Sequence, residues 1–197
     1  MQYRVMDATG AYALCDCTGY RLDGTDTESN MYVGMIINRS LADTTDSVTG
    51  LGDVHALVNA IGEMRRVPRE AGFIAIKVDD IAEVNARFGF DAGDRVLAES
   101  AACLMDCSRG KGRLFRSTGP TFVALFDDLD PEETNAIAEE IERFLGSPVL
   151  IGSLEYQPPI RVATLHLDAV DRQPVSILNE LKALLKEAPQ VPGTKLD

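Results

Sequence analysis

Two stretches decide the fold of this chain: FIAIKVDDIAEVNARFGFDAGDRVL (73–97) and RLFRSTGPTFVALF (113–126). FIAIKV is a short apolar run of the kind that forms a buried strand. Asp79 or Asp80 stands where a carboxylate caps the first turn of the helix IAEVNARF, and Gly89 breaks that helix. A second helix follows from about Ala92 to Ser108 and carries Val96, Leu97, Ala101, Cys103 and Leu104. Beyond the basic loop SRGKGR, the runs RLFRS and TFVALFD flank Thr118-Gly119-Pro120 and predict a hairpin turning near Gly119. The expected sheet has FIAIKV at its centre with TFVALF beside it.

Upstream, VHALVNAIGEMRRV places Val54, Leu57, Val58, Ile61 and Met64 on one side of a helix. Downstream, Pro131 opens the acidic helix PEETNAIAEEIERFLG, with Pro in the first turn and Gly at the end. PVLIGSLEY and PIRVATLHL read as further strands, and VSILNELKALLKEA as a last amphipathic helix. The fold class is α/β (α+β), with a mixed central sheet, or an antiparallel one, of about five strands wrapped by helices. Residues 1–40 differ in character. QYRVMD, AYALCDC and MYVGMIIN are β-rich runs separated by turn-forming stretches, a small antiparallel segment rather than a self-sufficient domain. The expected organisation is therefore 1–40 as a β segment, 41–52 as a linker leading into the main domain, and 53–197 as that domain.

The 197 residues are 45% hydrophobic and 25% charged, the composition of a globular protein with a real core. Lys and Arg number 19 against 31 Asp and Glu, giving a net charge of −12. That charge opposes non-specific binding to nucleic acid or anionic lipid, so an anionic ligand needs a local basic patch. No apolar run is long enough to span a membrane, and MQYRVMDATG lacks the basic start and apolar stretch of a signal peptide. A cytoplasmic location is expected. The spacings of Cys15 with Cys17 and of Cys103 with Cys107 do not form paired zinc half-sites, and only His55 and His166 stand by to help. Reduced thiols, partly in the core, are the expectation, with no metal.

Taken together, residues 46–127 resemble the GGDEF family of diguanylate cyclase domains. DSVTGL (46–51) is similar to the family's D-x-L-T-G-L opening, with Asp46, Thr49, Gly50 and Leu51 in place. The 73–97 stretch is similar to D-x-D-x-F-K-x-I-N-D-x-x-G-H-x-x-G-D at Asp79, Asn85, Gly89, Gly93 and Asp94. Residues 113–126 stand where the family has R-x-G-G-D-E-F-x-x-x-L: Arg116, Gly119 and Phe122 match, and the signature itself reads Thr118-Gly119-Pro120-Thr121-Phe122.

The resemblance implies a nucleotide-cyclase-like fold, and its departures fall on the chemistry. Family cyclases join two GTP molecules with divalent metal on the phosphates, held by the first Asp of the strand segment and an acid of the signature. Those positions here are Lys77, Pro120 and Thr121. Hard divalent cations need carboxylate oxygens, which a Lys ammonium cannot supply, and neither Pro120 nor Thr121 can act as a base near neutral pH. No cofactor is expected, magnesium included. The Phe-Lys pair of the family is Ile81-Ala82, and Pro189 falls where its late helix places a Lys.

At the other end of the site, the family's guanine-recognising Asn and Asp match Asn85 and Asp94. The plainer alternative makes Asn85 a backbone partner near the Gly89 turn and Asp94 a helix cap. Lys77 stands either as a phosphate-neutralising cation or as the partner of Asp79 or Asp80 at a strand end. Of the family's inhibitory R-x-x-D only Arg109 remains, because the acid position is Gly112, so tight cyclic di-GMP binding is not expected. Residues 1–40 resemble, in strand pattern, the C-terminal half of a PAS domain, and PAS followed by GGDEF is a common bacterial signalling order. The resemblance thus implies a degenerate signalling module without cyclase activity, acting as a GTP sensor or a protein-interaction module. The alternatives are a residual cyclase making cyclic di-GMP and a purely structural dimerisation domain. Expected partners are a guanine nucleotide, a second copy or another signalling domain, and neither nucleic acid nor membrane.

Overall fold

A computed structural model of the chain describes residues 2–6, 12–22, 31–38, 44–108, 110–145 and 148–194, the first three stretches as backbone. Two units emerge, Met1–Asp43 and Thr44–Asp197. In the first, β1 (Gln2–Met6), β2 (Tyr12–Leu22) and β3 (Met31–Asn38) form an antiparallel sheet in that order.

The second unit runs α1 (Val54–Met64), β4 (Ala71–Val78), α2 (Ile81–Phe88), α3 (Phe90–Ser108), β5 (Arg113–Thr118) and β6 (Thr121–Asp127). It continues with α4 (Pro131–Leu145), β7 (Val149–Ile151), β8 (Leu154–Tyr156), β9 (Ile160–Leu167), α5 (Pro174–Glu187) and β10 (Gln190–Val191). The main sheet has the order β10-β9-β4-β6-β5, so β4 is central with β6 beside it. Every strand pairing in it is antiparallel, which settles the choice between mixed and antiparallel; one isolated parallel bridge joins Gly52 to Phe115. The run PVLIGSLEY is a two-strand hairpin of its own, β7 with β8, rather than one strand.

β4 is covered on both faces, which is why it reads as an unbroken apolar run instead of an alternating one. Ile74, Ile76 and Val78 pack against Val96, Leu97 and Leu104 of α3 and Ala138 and Ile141 of α4. Phe73 and Ala75 face the opposite way, against Leu57 and Ile61 of α1 and Ile177 and Leu181 of α5. Lys77 continues the second row at the strand's end, where its position is no longer fully covered.

The helix ends differ from the sequence reading in two places. α3 begins at Phe90 rather than near Ala92, so Gly89 is the whole break between α2 and α3. Asp80 does occupy the N-cap position of α2, but its backbone is left-handed, at φ 61°, and its side chain makes no capping hydrogen bond. Its carbonyl instead accepts the N–H groups of Glu83 and Val84. The turn near Gly119 is as expected: at φ 56° this residue closes the β5–β6 hairpin in the conformation that favours glycine.

Residues 44–53 do more than link. Asp46 accepts hydrogen bonds from the Thr49 N–H (2.9 Å) and hydroxyl (2.7 Å). It also receives Arg116 Nη1 at 2.9 Å, while Arg116 Nε donates to the Gly119 carbonyl at 2.9 Å. The Arg116 N–H donates to Gly52 O at 2.7 Å, and Gly52 N–H to Leu114 O at 3.2 Å. The loop therefore covers the exposed edge of β5, a common way to blunt a sheet edge. Burial pushes the Asp46 carboxyl up, but the hydrogen bonds from Thr49 and Arg116 outweigh it and hold the group below its ordinary value.

Arg116→Ala is expected to cost about 2 kcal/mol, because it strands a half-buried carboxylate and frees a turn carbonyl. Urea unfolding should show a lower midpoint at unchanged slope. A change under about 0.5 kcal/mol would mean the ion pair only decorates the loop.

Candidate functional site

One polar row crosses the whole sheet at the C-terminal end of β4. In register, Gln190 faces Arg161, Arg161 faces Lys77, Lys77 faces Thr121, and Thr121 faces Thr118. The row exists because strand pairing aligns five positions whose side chains are all too polar for the core.

Asp79, two residues beyond Lys77, gathers this row. Lys77 Nζ lies 2.6 Å from its Oδ1. Arg161 Nε (3.0 Å) and Gln190 Nε2 (2.8 Å) both donate to its Oδ2. Arg161 reaches on to the Ala188 carbonyl at 2.8 Å, and the Asp79 N–H donates to Pro159 O at 2.8 Å. Asp79 as a whole is 8% exposed. Burial raises its pKa, and the donors Lys77, Gln190 and Arg161 more than offset this, leaving it below the ordinary aspartate range.

The cleft beside this cluster, about 570 Å³, is lined by Lys77, Asp79, Asp80, Glu83, Asn85 and Pro120 among others. Its charged lining is one cation against three carboxylates, so it offers little to a polyphosphate. A divalent metal fits no better. At position 77 an ammonium stands where the resemblance places a ligand, and it already engages the neighbouring carboxylate. Pro120 has no side-chain oxygen, and its carbonyl is taken by the Val78 N–H at 3.0 Å. Among the described residues no group of three or more His, Cys, Asp or Glu is placed to hold a metal. Behind the cleft, burial followed by the charges of Asp80, Glu83 and Asp79 pushes the Tyr156 phenol up to about 12. Its hydroxyl is buried and finds no hydrogen-bond partner among the described residues.

Asn85 lines the cleft, and its Oδ1 is buried without a hydrogen-bond partner. It is folded onto Gly93 of α3: a Cβ there would stand 1.9 Å from Oδ1, so glycine is what lets the amide lie down. The amide does not bond to the Gly89 turn, whose N–H goes to the Asn85 backbone carbonyl at 3.0 Å. Asp94 is the fifth residue of α3, too deep to cap it, exposed, and not among the residues lining the cleft. The two candidate guanine contacts are thus neighbours through Gly93, one turned to the cleft and one to solvent.

In the signature, Thr118 ends β5, Gly119 and Pro120 turn, Thr121 starts β6, and Phe122 is buried in the core. Arg109 lies outside the described residues. Gly112 is packed against the Phe126 ring, 2.5 Å from where a Cβ would be, so an aspartate there has no room. Arg161, Gln190 and Glu83, all part of the site, were not singled out from sequence. Only the pairing of β4 with β9 and of β9 with β10 brings the first two to Asp79.

Because the Asp79 and Asp46 carboxyls lie below their unfolded values, the stability they confer is present above about pH 4 and is lost as pH falls through the folded values. Asp79→Asn should lower stability at pH 7 and flatten that acid slope in part, as denaturant midpoints measured across pH would show. An unchanged slope would mean the three donors do not sense its charge. Gly93→Ala should cost about 1–3 kcal/mol by displacing the Asn85 amide. In the Asn85→Ala background the same substitution should cost much less, and equal costs in both backgrounds would refute the contact.

Comparison with known proteins bears on what this arrangement is. The family described as "Diguanylate cyclase, GGDEF domain" matches residues 43–170. Diguanylate cyclase DgcS of Shewanella oneidensis is 29% identical over 84 residues, 41% of this chain and 28% of that protein. Cyclic di-GMP phosphodiesterase PdeR of Escherichia coli is 28% identical over 113 residues, 56% of this chain and 17% of that protein. The chain thus spans less than a third of either relative. Among solved structures, diguanylate cyclase SiaD of Pseudomonas aeruginosa, in complex with its activator SiaC, superposes with TM-score 0.68 at 22% identity, covering 74% of this chain and 58% of that one. The FimX GGDEF domain from the same organism gives TM-score 0.68 at 17% identity, over 74% and 93%. With the family matched across most of the second unit and its sheet and helices shared with these structures, the chain belongs to the GGDEF family.

Proposed function

We propose that this chain is a GGDEF signalling module that makes no cyclic di-GMP and whose output is a contact, with a guanine base or with a protein. The observation that carries the reading is the Lys77–Asp79 ion pair at 2.6 Å, flanked by Arg161, at the position where phosphoryl transfer needs a metal. Phosphoryl transfer leans on a cation that bridges phosphate oxygens and activates the attacking hydroxyl. An ammonium already bound to a buried carboxylate does neither, and Pro120 and Thr121 add no acid. The strand row that would present the reacting groups presents Lys77, Thr121 and Thr118 instead.

What the cleft retains is an amide acceptor. A guanine N–H edge complements the unpartnered Asn85 Oδ1 once the amide swings off Gly93, while the Asp94 carboxylate, turned to solvent, meets a second donor only if the base reaches past the cleft. The surrounding carboxylates oppose a triphosphate, so the base rather than the phosphates supplies the affinity. The protein-contact version needs no ligand in the cleft. In this reading residues 1–40 belong to a PAS-like input element, and the domain sits among soluble signalling partners. Among the described residues no helix is long and apolar enough to cross a membrane.

The purified chain should yield no cyclic di-GMP from GTP with excess magnesium or manganese when products are separated by chromatography. Metal-dependent turnover would overturn the proposal. Calorimetry should show weak binding of GTP, no tighter than guanosine, and abolished by Asn85→Ala. GTP binding that survives that substitution would remove the nucleotide version and leave the protein-contact one.

A further inference from the structure

Between α3 and α4, floored by residues at the edge of the core, lies a groove that the cleft chemistry does not use. It has a volume of about 370 Å³ and shares no lining residue with the cleft. Its floor is uncharged: Cys103 and Cys107 one turn apart on α3, Leu145 from α4, and Val149 and Pro158. Phe144 stands at the rim, 45% exposed. Burial, then the neighbouring Cys107, pushes the Cys103 thiol up to about 12, so the floor carries no charge at neutral pH.

The charged residues that line the groove are all acidic, with the Arg143 guanidinium as a cation beside them. Glu99, Asp106 and Glu140 all line the groove, and no Lys or Arg is among the described residues that do so. Arg143 stacks on the Phe144 ring, 5.1 Å from its centroid. We propose that this groove docks an amphipathic helix of a partner protein, with an apolar stripe entering between α3 and α4 and Lys or Arg flanking it. This deepens the protein-contact version of the function above.

Three arguments select that occupant. An apolar floor inside an acidic rim complements an apolar stripe with basic flanks. A second copy of this chain is the wrong sign, since its net charge is −12. Finally, the groove walls are mostly helices whose backbone groups are already bonded internally. A bound segment finds few partners there for its own N–H and C=O groups, so it must satisfy them itself, as a helix does. The volume accepts a few leucine-sized side chains, the footprint of one or two helical turns.

The test uses the full chain and a synthetic helical peptide about five turns long, leucine on one face and lysine on the other, with a glutamate-for-lysine twin. Fluorescence anisotropy should give micromolar binding of the lysine peptide and at least tenfold weaker binding of its twin. Ala102→Trp fills the exposed mouth of the groove and should weaken the lysine peptide at least tenfold, with thermal melts confirming that the variant folds. Glu99→Lys with Asp106→Lys should do the same and reduce the salt dependence. Binding that ignores Ala102→Trp would show a diffuse attraction to an acidic surface and overturn the proposal. So would equal binding of both peptides, or self-association abolished by Ala102→Trp, which would make the occupant a second copy. These readouts are independent of turnover, so the groove and the non-catalytic reading can each fail without the other.

Discussion

Asp79 is the point on which the cleft end of the second unit is organised. A carboxylate that is almost wholly buried must be neutralised by donors, and this one draws them from β4, β9 and β10 at once. The consequence runs outward in both directions. The strand ends are fixed relative to one another, and the short strand β10, only two residues long, gains a side-chain tether beside its own ladder. The same ion pairs decide what the cleft can host. With the local cations committed to a buried acid, the remaining charge of the cleft lining is negative, which opposes a polyphosphate.

Much of the fold was legible because its signals are local. FIAIKV announced a central apolar strand, Gly89 a helix break, and Thr118-Gly119-Pro120 a hairpin. Where the reading slipped, tertiary context had intervened. Asp80 stands in the capping position with a left-handed backbone and makes no side-chain cap, and Asp79, the other candidate, is drawn to Lys77 and Arg161. PVLIGSLEY contains a turn at Gly152 that apolar content alone concealed.

The site was legible only in part. The replaced acids at 77, 120 and 121 were visible as residue types in a familiar frame, and so was the choice between a phosphate-facing and an Asp79-facing Lys77. The structure pairs Lys77 with Asp79. Arg161 and Gln190 were invisible, because they lie 82 and 111 residues from Asp79 along the chain and meet it through strand order alone. The Asp46–Arg116 tie was similar: both residues were noted as matches, but nothing in either segment says that one holds the other across 70 positions. Gly93 was noted as a match too, and only the folded Asn85 amide explains why a larger residue is excluded there.

The packing of Gly112 under Phe126 couples two positions that the chain keeps fourteen residues apart. An aspartate at 112 would have to share space with a ring that now fills the core beside α3. Restoring the family's acid there is therefore not one genetic step but two, and the first is harmful whichever is taken first. Truncating Phe126 alone opens a cavity, and adding the acid alone overfills one. A position of this kind is guarded by its neighbour: each single change lowers stability, and only a paired change keeps the core filled.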